Sequence, residues 1–222
     1  MTRSEIETQV LNTINRNGDA IAAAQVSFGF QVAHRDIQRK TNALTATEIT
    51  GYVTLVVGAN SYSVFSDFKE PILAYLWDPT DSKVLAFYNK VNITTLRDRR
   101  FKVDPVIDPN VDSQSYDTYL YAIHADKFEL WPDVDSTLVE SGNKFGVDYY
   151  RYITVPETDS SDWFTVNAID YLVYRTLREC VSFFGLSDAH AKRWESQEER
   201  ALRDIIGIDI SKQNSGPLRI RG

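Results

Sequence analysis

Little in this 222-residue chain is suited to covalent or metal chemistry. Cys180 is the only cysteine, so no disulfide can form within the chain. It sits in the apolar run YRTLRECVSFF, which predicts a buried free thiol rather than a nucleophile and fits a reducing compartment. The three histidines, His34, His124 and His190, fall on different elements, and without an HxxxH pair or a second cysteine a zinc site has little material. A GxxxxGK[ST] phosphate loop, a GxGxxG fingerprint and a GxSxG elbow are all missing, which removes the usual sequence support for nucleotide binding and Ser-His-Asp hydrolysis. There is no apolar run of 18 residues, and MTRSEIETQVLNTINRNG carries charges where a signal peptide needs an apolar core. The expectation is a soluble protein made in a cytoplasm, without a membrane partner.

Clustered positive charge is also lacking. Lys and Arg number 24 against 31 Asp and Glu, a formal net charge of -7. Residues 45–165 alone hold 19 acids and 10 bases, while each end is close to +1. Tight gripping of nucleic acid is disfavoured, because phosphate binding rests on grouped Lys and Arg. With 31 acids, pairs of carboxylates for glycoside cleavage can be drawn almost anywhere and carry no information. Asp108, Asn110 and Asp112 match the first ligand positions of a calcium loop, but Ser113 stands where that loop needs Gly and Tyr119 where it needs Glu. A polar turn is the better reading, and neither metal nor cofactor is expected.

What the chain does have is a change of hydrophobic period. Thr2-Arg3-Ser4-Glu5 reads as a capping box, followed by Ile6, Val10, Leu11 and Ile14 on one helical stripe and an Asn-Gly stop at 17–18. A second helix, broken or bent near Gly29, runs from Asp19 to about Ala43 with Val26, Phe30, Ala33 and Ile37 on one face. From Thr47 the period becomes two: TGYVTLVVG, NSYSVFS, ILAYLW and KVLAFYN alternate between turn signals and predict an antiparallel sheet. NITTLRDRRF, 92–101, is a short helix, and after a loop YDTYLYAIHA and KFELWPD form a hairpin over Ala125-Asp126-Lys127. KFGVDYYRYITVP supplies the last strand.

Beyond Pro156 the helical period returns. Val166, Ile169, Val173, Leu177, Cys180 and Phe184 step along a helix of about 20 residues closed by Gly185. A second helix starts on Ser187 or Asp188, carries Ala191, Trp194, Ala201 and Ile205, and ends at Gly207. The connector is so short that the two must form a hairpin, with Trp194, Leu177, Phe184 and Ile205 as its packing residues. Glu195, Glu198 and Glu199 alternate with Lys192, Arg193, Arg200 and Arg203 and read as a solvated, ion-paired face rather than a catalytic cluster. The fold expected is α+β: a helical bundle of residues 1–46 and 157–210, an antiparallel β insertion over 47–156, and an extended C-terminal tail at 211–222.

In their order and spacing these segments resemble the head-to-tail adaptor, or connector, proteins of tailed bacteriophages. The resemblance covers nearly the whole chain and rests on TRSEIETQVLNTINR, AIHADKFELWPD, GVDYYRYITVPETDSSDWFTVNAIDYLVYRTLREC and DAHAKRWESQEERALRDI. It implies a virion protein that forms a ring, commonly of twelve copies, docked under the portal and leading to a downstream tail or nozzle protein. Double-stranded DNA passes through such a ring during ejection without specific binding. Carried onto this chain, the portal-binding candidates are Pro217, Leu218, Arg219, Ile220 and Arg221, an extended segment with apolar and basic residues on alternate sides. Two other readings stay open at this stage: a tail-associated cell-wall (peptidoglycan) hydrolase, which needs a carboxyl held above its ordinary range beside a second carboxylate, and a monomeric binding module.

Overall fold

The first helix, α1 (Arg3–Thr13), begins where its capping signal stands: Thr2 Oγ1 accepts from the Glu5 N–H and the Glu5 carboxylate accepts from the Thr2 N–H. It stops earlier than Gly18. Asn15 takes the left-handed conformation (φ 53°), the Arg16 N–H reaches the Leu11 carbonyl at 3.0 Å and the Asn15 N–H that of Asn12 at 3.2 Å. This is a Schellman closure built on Asn15. The computed structural model describes residues 1–41, 47–102, 119–139 and 142–215.

Helix α2 (Ala20–Lys40) is capped by Asp19, whose carboxylate accepts from the Ile21 and Ala22 N–H groups. It runs unbroken through Gly29. The glycine serves packing instead: a Cβ there would lie 3.3 Å from Thr176 Cγ2 and 3.4 Å from Glu179 Cβ, so its absence lets two helices approach closely.

The single helix expected from Asp162 is two, α5 (Trp163–Asn167) and α6 (Ile169–Cys180), separated at Ala168 (φ −123°, ψ 30°). Asp162 and Thr165 form a reciprocal cap, and the Asn167 side-chain amide donates to the Trp163 carbonyl at 2.9 Å. Helix α7 (Asp188–Ser215) passes through Gly207 and covers 211–215, where an extended tail was expected. One glycine costs a helix only about 1 kcal/mol, and no stronger breaker stands before Gly216-Pro217.

Helices α1, α2, α5, α6 and α7 share one core, in which Ile6, Phe30, Ile37, Phe164, Tyr171 and Leu177 are almost wholly buried. Each such side chain contributes about 1.5–3 kcal/mol relative to exposure. Met1–Thr47 and Ile153–Gly222 form one compact unit.

Among the described residues, the second unit, Glu48–Tyr152, holds a seven-stranded sheet. Its strands are β1 (Glu48–Thr54), β2 (Ser61–Ser63), β3 (Phe68–Asp78), β4 (Lys83–Lys90), β5 (Leu120–His124), β6 (Lys127–Trp131) and β7 (Lys144–Arg151). They lie in the order β1-β7-β3-β4-β5-β6-β2. The sheet is mixed rather than antiparallel throughout, because β4 and β5 pair in parallel at Asn89 with Leu120 and Lys90 with Tyr121. The connection between them carries helix α3 (Ile93–Lys102), and a crossover of that length permits parallel pairing. The β5–β6 hairpin turns on Ala125 and Asp126, both at positive φ, as a two-residue turn matched to strand twist requires. A short helix, α4 (Ser136–Val139), precedes β7. Phe128, Leu130, Phe145 and Val147 form the centre of this unit's core.

Candidate functional site

The sequence offers no catalytic constellation, so the candidate sites are surfaces and the side chains that shape them. Helices α6 and α7 are in contact: Arg178 reaches Glu195 and Glu198, and Ile169, Asp170 and Tyr171 share a groove with Ala201, Asp204, Ile205 and Ile208. Leu177, Trp194 and Ile205 are buried in the helical core, and Phe184 packs against it half-buried. Cys180 is fully buried, and burial with the nearby Glu179 charge pushes its thiol up to about 11.

Glu198 does not belong to a solvated face. It is only 3 % exposed, with Arg178 Nη1 at 3.0 Å, Lys40 Nζ at 3.6 Å and Arg175 Nε at 3.7 Å. Arg175 continues the network to Asp36 at 3.0 Å and to Glu179, and Tyr171 donates to Asp36 at 2.7 Å. Burial alone would raise the Asp36 carboxyl, but hydrogen bonds from Lys40, Tyr171 and Arg175 outweigh it and hold the group below its ordinary range. Three helices, α2, α6 and α7, are therefore tied by one set of charges.

A second polar node joins α2 to the segment that follows the sheet. Gln38 pairs with the Ile153 backbone, its Nε2 donating to the carbonyl at 2.9 Å and its Oε1 accepting from the N–H at 2.6 Å. That pairing fixes which end of the amide faces His34, so the other Nε2 hydrogen points at His34 Nδ1, 3.0 Å away. Nδ1 must accept, and Nε2 carries the proton it donates to Asp162 Oδ2 at 2.5 Å. His34 is fully buried between Phe30 and Phe164. Burial acts to raise the Asp162 carboxyl, but His34 and the Thr165 N–H outweigh it and hold it low. Among the described residues, the carboxyls with a shift, Asp36, Asp135 and Asp162, are all lowered.

Several large apolar side chains are exposed. In the helical unit Ile21 is 70 % and Phe28 58 % exposed on α2, Val166 53 % on α5 and Ile208 43 % on α7. An open groove of about 250 Å³ runs between the start of α6 and the second half of α7, floored by Ala168, Ala201 and Ile205 and rimmed by Asp170 and Asp204. In the sheet unit, Tyr52, Tyr75 and Phe87 fall in one row through the pairings Tyr52–Gly146, Gly146–Tyr75 and Tyr75–Phe87, on the side opposite Phe145 and Val147. Tyr52 and Phe87 are exposed there.

Pro217, Leu218, Arg219, Ile220 and Arg221 lie outside the described residues, as do Asp108, Asn110 and Asp112. No helix among the described residues is long and apolar enough to cross a membrane. Compared with models of known families, the chain matches that of the SU10 adaptor protein over residues 1–221. No curated protein matches it.

Proposed function

The chain belongs to the SU10 adaptor protein family, bacteriophage structural components of the virion, and from that premise we propose that it is the ring-forming head-to-tail adaptor that docks under the portal. The observation that carries this reading is the family match across essentially the whole chain, helices and sheet together. An adaptor is a structural component rather than an enzyme, and its work is done by surfaces. The exposed apolar positions Ile21, Phe28, Val166, Tyr52 and Phe87 support such work, because patches of this kind mark protein contacts.

In this reading α6 and α7 act as a C-terminal hairpin within a bundle completed by α1 and α2. The ring holds twelve copies, the number the resemblance implies. Residues 217–221 reach the portal as an extended segment, with Leu218 and Ile220 on one side and Arg219 and Arg221 on the other. A downstream tail or nozzle protein meets the opposite end. Acidic residues of the β unit face the channel, so that double-stranded DNA passes during ejection without sticking.

The test is docking onto purified portal rings, followed by electron microscopy and co-sedimentation. The full chain should add a second ring to the portal, and a chain ending at Ser215 should keep its fold but dock weakly. Equal docking by the truncated chain would remove 217–221 from the interface, and no added ring with the full chain would overturn the adaptor reading.

A further inference from the structure

Helix α2 carries two opposed faces. Val26, Phe30, Ala33 and Ile37 enter the core, while Ile21, Ala24, Phe28, Val32, Arg35 and Arg39 fall within about 80° of one another on the far side at 100° per residue. All of the outer six except the half-buried Val32 are exposed. A helix covered by its own domain on one side and by solvent on the other is expected to be polar outside. Here the outer stripe is apolar through its first half and basic through its second.

The groove between α6 and α7 has the reciprocal character. Val166 and Ile208 give it exposed apolar walls, and Asp170 and Asp204, both exposed, stand at its rim. Among the described residues, none of Arg35, Arg39, Asp170 and Asp204 forms an ion pair. Phe28 to Arg35 spans seven residues, about 10 Å of helix, while Val166 to Asp170 and Ile208 to Asp204 each span four, about 6 Å, a difference that an extended arginine side chain covers.

We infer that the outer stripe of α2 in one copy packs into the α6–α7 groove of the next copy, Phe28 between Val166 and Ile208, and Arg35 and Arg39 on Asp170 and Asp204. The occupant is a second copy of this chain because the two surfaces complement each other in charge and in apolar content and lie on different elements of one unit. A contact between two different patches is heterologous, and repeated heterologous contacts close into a ring when the rotation allows. A self-complementary contact would give only a dimer. The inference rests on the ring reading above and identifies the surfaces that build the ring.

The test is a charge exchange read by mass photometry, on the free chain and on portal rings. Arg35→Glu with Arg39→Glu in one variant, and Asp170→Lys with Asp204→Lys in another, should each leave a folded monomer by circular dichroism and abolish ring assembly. Mixing the two variants should restore rings, since each then presents the surface its neighbour needs, and a chain carrying all four changes should also assemble. Phe28→Asp should abolish assembly without rescue. Wild-type rings together with unimpaired assembly of both charge variants would overturn the surface assignment alone, as would loss in both with no rescue on mixing or in the four-change chain. Failure of the wild-type chain to assemble, free or on the portal, would overturn the ring reading and this inference together.

Discussion

Glu198→Ala should destabilise the helical unit by about 2–3 kcal/mol. Removing one member of a buried ion pair typically costs about 3–5 kcal/mol, because the partner is left uncompensated. Here the partners are only partly enclosed: the Arg178 and Lys40 side chains are 40 % and 39 % exposed and can rehydrate, whereas Arg175, at 17 %, cannot do so fully. The cost therefore falls below the fully buried range. Glu198→Gln keeps the shape and one acceptor and loses only the charge, so about half the penalty should remain. At roughly 3 °C per kcal/mol for a domain of this size, the alanine variant should melt about 6–9 °C lower. Circular dichroism at the helix band measures this directly, with Glu199→Ala, a neighbour on the exposed side, as the control expected to stay within about 0.5 kcal/mol. If the two alanine variants melt together, Glu198 is solvated after all and the three-helix charge network does not hold the unit.

Three further outcomes are expected. Gly29→Leu should destabilise by about 1–3 kcal/mol, because Thr176 and Glu179 leave no room for a side chain, whereas Gly207→Ala, exposed and with nothing within 4 Å of the added Cβ, should stabilise by about 0.5–1 kcal/mol in urea unfolding. Asp162, held below its ordinary value in the folded state, contributes stability that is complete above its unfolded pKa of about 3.9 and is lost as pH falls through the lower folded value; Asp162→Asn should flatten that acid limb, and an unchanged limb would show that the His34 contact does not act on the carboxylate. Cys180 should resist a thiol reagent in the native protein and react once denaturant is added; rapid native labelling would contradict its burial.

Much of the fold was legible in the residues. The capping box at Thr2 and Glu5, the change of period near Thr47 and the return to helix after Pro156 all stand on short-range chemistry that a sequence displays. The parallel β4–β5 pair was not, because strand direction depends on where a long connection returns, and no residue in either strand records it. Gly29 and Gly207 look like interruptions in the sequence, yet an isolated glycine in a helix is a modest cost that packing can override, and at Gly29 the neighbouring helix requires it.

Glu198 is the more instructive miss. Trp194, Ala201 and Ile205 are core positions, and Glu198 fills the gap in their four-three-four spacing, so the stripe itself placed a carboxylate on the buried face. Its charge suggested solvent, whereas its position required a partner, and Arg175 and Arg178 on the preceding helix supply it. The His34–Asp162 contact had no comparable signal, since its members stand 128 residues apart. The core stripe of α2 is legible in its spacing, whereas Ile21, Ala24 and Phe28 lie on the opposite side and are exposed.

A single-particle reconstruction of the neck of intact virions decides whether this chain is the adaptor ring. A closed ring of this chain is expected immediately beneath the portal, with the helical units of neighbouring copies in lateral contact. A neck whose density beneath the portal is fully explained by other proteins, with this chain absent or placed elsewhere in the particle, would contradict it.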